Sequence, residues 1–399
     1  MSDLTAFREE TRAWLEVNCP AGARGPGEIP NGSTKVEIAD GDTRLWLERM
    51  AERGWTVPTW PTAYGGGGLS DAEARVLFQE MEAIDARPPL VNMGTRMLGP
   101  TLLEFGTEDQ KKRHLTPIAE GRAAWCQGYS EPGAGSDLAS LRARAEDRGD
   151  EFVINGQKIW TSGAQTADWM FALVRTDPAA PKHRGISFVL LPMDQPGVTV
   201  RPIRLISGSS PFCETFFDNA VAAKEDLVGE LNQGWTVGKR LLQHERSGQG
   251  GLGPRTGRAR PVGVTVDLDV AETALTYLGE RDGRIAEAAL RSRVIDWKMN
   301  AAAFALTQQR AGEESRAGGA PGEATSIFKL FGSTLARERQ DLLMQLMGTR
   351  GVGWEGDVFD EDEIGTLRSF LASRAVTIYG GTNEVQQNII AKRVLGLPD

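Results

Sequence analysis

The sequence predicts an α+β protein in three parts. These are an N-terminal helical domain over residues 1–120, a small antiparallel β-barrel or sandwich over 121–227, and a C-terminal helical bundle over 228–399. Three observations carry that expectation. The apolar period is helical at both ends of the chain and shifts to short strand-like runs in the middle. Strands and helices are segregated rather than alternating, which argues against a doubly wound sheet. At 399 residues the chain exceeds one ordinary core, so two or three packed units are expected.

In chain order, Phe7, Trp14 and Leu15, with charges between them, make an amphipathic first helix ended by Asn18-Cys19-Pro20. A loop rich in Gly, Pro and Ser runs to about residue 42. Residues 45–53 are helical in pattern, Gly54 stops them, and Pro58-Thr59-Trp60-Pro61 holds an extended turn. Helix patterns follow over 71–86 and 91–105. Another begins at Thr107, an N-cap with Asp109 and Gln110 in its first turn. Asn155-Gly156, between Phe152-Val153-Ile154 and Lys158-Ile159-Trp160, predicts a hairpin, because a type I′ turn needs positive φ at both central residues. Further strands are expected over 169–174, 186–191, 198–203 and 214–217. Helical patterns return over 235–246, 270–278, 283–310, 326–347, 367–374 and 383–394, with loops at 247–264 and 312–323.

Composition narrows the function classes. A net charge of −9 leaves no basic excess to displace counterions from a nucleic acid, so no nucleic-acid partner is expected. No run approaches the roughly 20 apolar residues of a membrane span, and the first residues show no signal-peptide pattern. Cys19, Cys126 and Cys213 are scattered, as are the three histidines, so neither a metal site nor a disulfide framework is expected. A reducing, cytoplasmic setting follows. Two Gly-x-Gly-x-x-Gly strings, at 248–253 and 351–356, follow helix-patterned sequence and do not run into a helix, so neither reads as a dinucleotide site.

The chemically suggestive stretch is 127–137, Gln-Gly-Tyr-Ser-Glu-Pro-Gly-Ala-Gly-Ser-Asp. Its glycines, proline and serines forbid regular structure and suit a loop whose N–H groups and hydroxyls converge on oxygen atoms. Together with Lys158-Ile159-Trp160-Thr161-Ser162-Gly163, and with Tyr379-Gly380-Gly381-Thr382-Asn383-Glu384 and 389–396 near the C-terminus, it resembles the acyl-CoA dehydrogenase family over essentially the whole chain. The resemblance implies FAD as cofactor, an acyl-CoA thioester as substrate and α,β-dehydrogenation as reaction. In that reaction a carboxylate removes the α proton while the β carbon delivers a hydride to the flavin. It also implies an electron-transfer flavoprotein as oxidant and a homotetramer or an α2β2 heterotetramer.

Carried over residue by residue, the resemblance puts Gln127, Tyr129 and Ser130 at the flavin ring, with Trp160, Thr161 and Ser162 flanking it. Ser136 lies near the pyrophosphate and the CoA arm. Gln345, Gly348 and Thr349 contact a neighbouring subunit's adenosine half, and Thr382 and Glu384 approach the cofactor. Gly380 offers its N–H to the thioester oxygen, and Arg246 and Gly381 fall on the substrate side. By itself, Trp160 reads as an ordinary core aromatic. The family's Arg-x-x-Phe-Gly segment has no clear copy here; Glu280-Arg281-Asp282-Gly283 is the nearest stretch.

The main departure is at residue 380, where many family members carry the catalytic glutamate and this chain has glycine. A minority places that base on the helix after the β domain, and the matching residue is Glu245. Leu241 and Leu242 precede it by four and three residues, so all three share a helix face. If the leucines point inward the carboxylate does too, and burial raises a glutamate's pKa toward that of a base working near neutral pH. Glu245 by itself also fits a structural salt bridge or a solvated side chain. Two other roles share the scaffold: a non-catalytic or half-site subunit of a heteromeric enzyme, and another flavin oxidation. A glycine at 380 leaves room for a branched or bulky acyl group.

Overall fold

In a computed structural model the chain is described over residues 4–248, 266–316 and 324–398; the side chains of 245–248, 315, 316, 324 and 325 lie outside that description. Two compact units emerge: 1–203 with 212–258, and 204–211 with 259–399.

The first unit opens with helices α1 (Leu4–Asn18), α2 (Gly41–Glu52), α3 (Asp71–Ala83), α4 (Gly99–Phe105) and α5 (Glu108–Ala119). Thr107 caps α5 in a reciprocal box with Gln110. A π-helical turn, Gly94–Leu98, leads into α4 where the sequence suggested one regular helix. Strands β1 (Trp125–Gly128), β2 (Arg144–Asp147), β3 (Glu151–Ser162), β4 (Trp169–Arg175), β5 (Ile186–Pro192), β6 (Val198–Ile203), β7 (Phe212–Ala223) and β8 (Leu227–Val228) form one sheet, in the order β6-β7-β3-β2-β4-β5-β8, with β1 added parallel to β4.

The sheet is open, so the barrel alternative gives way to a sandwich. Its logic lies in β4 and β5, which are apolar on both faces. Phe171, Leu173, Phe188 and Leu190 pack with Leu102 and Leu115 from the helices, and with Val237 and Leu241 from α6 (Gly234–Gly248). Met170, Ala172, Val189 and Leu191 face the other way, against Phe152, Ile154, Cys213 and Phe217 of β3 and β7. Continuous apolar runs of this kind belong to strands buried on both sides.

The hairpin expected at Asn155-Gly156 is not formed: β3 runs unbroken through both residues. The irregularity falls on the facing strand, where Asn219 takes φ 56° and donates its N–H to Asn155 Oδ1 at 2.9 Å. Gly156 takes φ 143°, and a Cβ there would lie 2.7 Å from the Ala143 Cα. The turn-forming dipeptide serves a bulge and a close strand crossing instead.

The second unit holds α7 (Val270–Leu278), a small hairpin of β9 (Glu280–Arg281) and β10 (Arg284–Ile285), α8 (Ala288–Arg316), α9 (Ala324–Met347), α10 (Glu361–Ala372) and α11 (Asn383–Ile389). Helix α8 starts later than the sequence suggested because Asp282-Gly283, at φ 53° and 69°, makes the hairpin turn before it. Val270, Ala274, Val294, Leu342, Leu343 and Leu346 form the core. Of the two glycine strings, 351–356 follows α9 through a short 3₁₀ turn with no strand before it. The string at 248–253 falls largely outside the described residues.

Candidate active site

The 127–137 loop is built by close approach at its start and by charge at its centre. Gly128 sits on β1 against β4, where a Cβ would fall 2.3 Å from Met170 Sδ, so only glycine lets the loop leave at this level. Tyr129 is buried edge-on to Phe171 and Phe188, with its ring in the core beneath the loop. Its hydroxyl reaches toward α6: a Cβ at Gly238 would lie 3.3 Å from that oxygen. Any contact between residue 129 and a ligand above the loop therefore runs through its backbone.

Glu131 and Ala134 exchange N–H···O bonds of 3.0 Å, closing a tight turn whose second position is pre-set by Pro132. The Glu131 carboxylate is buried. It accepts the N–H groups of Arg142 and Ala143 at 2.6 and 2.8 Å and pairs with Lys158 Nζ at 2.8 Å. Lys158 is wholly buried, and burial pushes its pKa down against the pull of Glu131. Removing one partner of such a pair costs about 3–5 kcal/mol, because the other charge is stranded.

Above this base the loop is open. Among the described residues, the N–H groups of Gly133, Gly135 and Ser136 have no partner, and Cβ atoms at the two glycines would meet nothing within 4 Å. Gln127 brings a second unmet group: its amide Nε2 is buried without a hydrogen-bond partner among the described residues.

Trp160 is not the core aromatic that its neighbours in sequence suggest. It is 53% exposed, at φ 62°, in a bulge between the pairs Lys158↔Thr215 and Thr161↔Cys213. Bulges re-aim side chains in this way, and a tryptophan at positive φ is a genuine outlier. Thr161 points the other way: its hydroxyl is buried and accepts from Thr215 at 3.3 Å. Ser162 is half-buried, paired with Phe212 at the strand's end.

In the second unit, Gly380 and Gly381 hold φ 67° and 90° in an exposed turn. Lys329 of α9 donates to the Val376 carbonyl at 2.8 Å, and its Cε would lie 3.5 Å from a Cβ at residue 380. The Gly380 N–H has no partner among the described residues. Thr382 caps α11 by accepting the Val385 N–H at 3.2 Å. Glu384 sits in the first turn of that helix. Its own backbone N–H, and then the Thr382 hydroxyl, hold its carboxyl below the usual range. Gln345, Gly348 and Thr349 are exposed at the end of α9 and in the turn after it, with Gln345 accepting from Arg293.

Helix α6 carries Leu241, wholly buried, and Leu242, packed on the same core. The helix backbone continues through Glu245 and Arg246, whose side chains lie outside the described residues. What sequence reasoning missed is the Glu131–Lys158 pair. The two residues are 27 apart and nothing in their spacing signals contact, although Glu131 stands within 127–137 and Lys158 opens 158–163.

A loop with unmet N–H groups, an unmet buried amide and an out-turned indole together suit a large, oxygen-rich aromatic cofactor such as a flavin dinucleotide. Comparison with known proteins agrees. The N-terminal, middle and C-terminal domain models of acyl-CoA dehydrogenases match residues 3–122, 126–220 and 232–395. The acyl-CoA dehydrogenase IpdE1 of Mycobacterium tuberculosis is 39% identical over 100% of this chain and 99% of its own. Among solved structures, the Tcur3481-Tcur3483 steroid ACAD matches with TM-score 0.73 at 31% identity, covering 100% of this chain and 98% of that one. The ChsE4-ChsE5 complex of M. tuberculosis matches with TM-score 0.72 at 28% identity and the same coverage.

The chain belongs to the acyl-CoA dehydrogenase family, and it is an FAD-dependent oxidoreductase of that family. Among the described residues no helix is long and apolar enough to cross a membrane.

Proposed function

We propose that the protein dehydrogenates a bulky, branched or polycyclic acyl-CoA at its α,β bond with Glu245 as base. We further propose that it works in an α2β2 assembly and yields its electrons to an electron-transfer flavoprotein. The observation that carries this reading is Gly380: the Tyr379-Gly380 turn has no carboxylate, and its N–H is unused among the described residues.

A thioester α proton is weakly acidic, so the base needs donors that stabilise the enolate oxygen as charge develops. Gly380 supplies one such N–H. Glu245 takes the proton; it follows Leu241 and Leu242, both packed on the core, by four and three residues. The N–H groups of Gly133, Gly135 and Ser136, the Gln127 amide and the Trp160 indole would hold the cofactor. FAD bound there supplies the acceptor for the β hydride. Gln345, Gly348 and Thr349, all exposed, suit contact across a subunit boundary.

Two kinds of observation support the assembly. On α8, Ile295, Met299 and Leu306 form an exposed apolar stripe at helical spacing. Both solved relatives named above carry paired names, and one of those names includes the word steroid. The test is anaerobic bleaching of the flavin band by short straight, branched and polycyclic acyl-CoA thioesters, on the chain alone and with a co-produced partner. Fastest bleaching by branched or polycyclic substrates is expected. A preference for short straight chains would refute the acyl assignment. Bleaching by the chain alone as a homotetramer would refute the paired assembly.

A further inference from the structure

We infer that Lys158 and Glu131 are positioning residues for the cofactor: their buried ion pair fixes the 127–131 segment and the Trp160 bulge to each other as two walls of one cradle. The inference rests on the reading of those two segments as flavin contacts. The walls meet residue against residue. Lys158 Nζ donates to the Tyr129 carbonyl at 3.2 Å, the Ile159 N–H to the Ser130 carbonyl at 2.9 Å, and Lys158 Nζ to Glu131 at 2.8 Å. The opposite side of the contact is held by the same carboxylate, which accepts the Arg142 and Ala143 N–H groups. One charge pair therefore binds the start of the loop, its far end and the strand that carries the indole.

Neither group has another task in view. Lys158 is 0% exposed and Glu131 only 8%, and both spend their charge on each other and on loop backbone groups. For stability alone the pair is a poor choice, since well-packed apolar residues of similar volume often hold a core at least as well. What an apolar pair cannot supply is direction. The ammonium is aimed at two oxygens of the loop, and charge-assisted bonds are short and angle-sensitive. Trp160 follows two residues later at φ 62°, a conformation that persists only when its surroundings over-determine it. The bonds at 158 and 159 hold one side of it, and the Thr161–Thr215 contact holds the other.

The test is the double variant Glu131→Gln with Lys158→Met in the full-length, FAD-loaded protein. The introduced glutamine keeps an acceptor oxygen for one of the two backbone amides, and the introduced methionine keeps the volume without a stranded charge. Expected are near-normal far-UV circular dichroism, a changed visible circular dichroism band of the flavin, and FAD dissociation raised by at least about ten-fold. A kcat lowered on the order of 100-fold, with KM for acyl-CoA little altered, completes the expectation. An unchanged flavin band and FAD affinity in the folded variant would overturn the inference. If the double variant does not fold, Glu131→Asp, which keeps both charges and shortens the reach of one, is read the same way. Gln127→Leu and Trp160→Ala test the cradle itself. If neither alters the flavin band, both readings fall; if they alter it and the double variant does not, only the positioning role falls.

Discussion

Two glycine-rich turns, one in each unit, are held in opposite ways. The 127–137 loop is gripped from beneath, by the buried Lys158–Glu131 pair and by a glycine wedged against Met170. The Tyr379–Gly381 turn is exposed and held from its flanks. Lys329 bonds the Val376 carbonyl, Asn383 N–H bonds the Thr377 carbonyl at 3.0 Å, and Gln386 reaches the Gly380 carbonyl at 3.4 Å. A turn gripped by buried charge tolerates little drift and suits a ligand that never changes. A turn held through backbone carbonyls can lose a side chain at its tip without disturbing the fold, which suits the proposed adaptation to different acyl groups.

The comparison can be broken most sharply at the proposed base. Glu245→Gln is expected to leave flavin content unchanged and to slow anaerobic bleaching by roughly 10²–10⁴-fold, the usual worth of a positioned general base. Retained bleaching would mean that the chemistry does not depend on α6. A smaller effect is expected from Gly380→Glu, which restores the family's commoner carboxylate. Its backbone conformation costs a non-glycine residue about 1–2 kcal/mol, and the Lys329 ammonium stands within reach of the new side chain. The combination Gly380→Glu with Glu245→Gln should therefore remain inactive; recovered bleaching would show that the exposed turn can host the base unaided.

The smallest effect concerns pH. Glu363 is buried in the second unit, where burial raises its pKa, but bonds from Arg350, the Asp360 N–H and Tyr277 outweigh this and leave it below its ordinary value of 4.5. Its contribution is present above pH 4.5 and is lost as pH falls through the lowered value. The Tyr277 hydroxyl, desolvated and bonded to Glu363, is pushed up to about 12 from 10. The unfolded chain then releases that proton first, so stability declines as pH rises from 10 toward 12. Melting followed by near-UV circular dichroism should show a plateau with a shallow fall on each side. A Tyr277→Phe variant that still falls above pH 10 would remove Tyr277 as the cause.

Much of the fold was legible because its signals are local. The N-cap at Thr107 and helix 270–278 read directly, since a cap and an apolar stripe need only neighbouring residues. Asn155-Gly156 misled because the positive φ that marks a hairpin turn also serves a bulge, and only the facing strand decides between them. The barrel was an alternative because runs such as 169–174 do not say which faces they bury. For the candidate site, sequence supplied the residues through motif resemblance, while the exposure of Trp160 and the contact between Glu131 and Lys158 depend on strand register that spacing cannot reveal.

The out-turned Trp160 has a consequence for anyone observing the molecule. It is the one exposed indole among ten tryptophans, the other nine being buried or partly buried. A soluble collisional quencher should extinguish its emission ahead of the rest. A bound isoalloxazine would take the same emission by energy transfer, so the chain carries its own optical gauge of how full the cradle is.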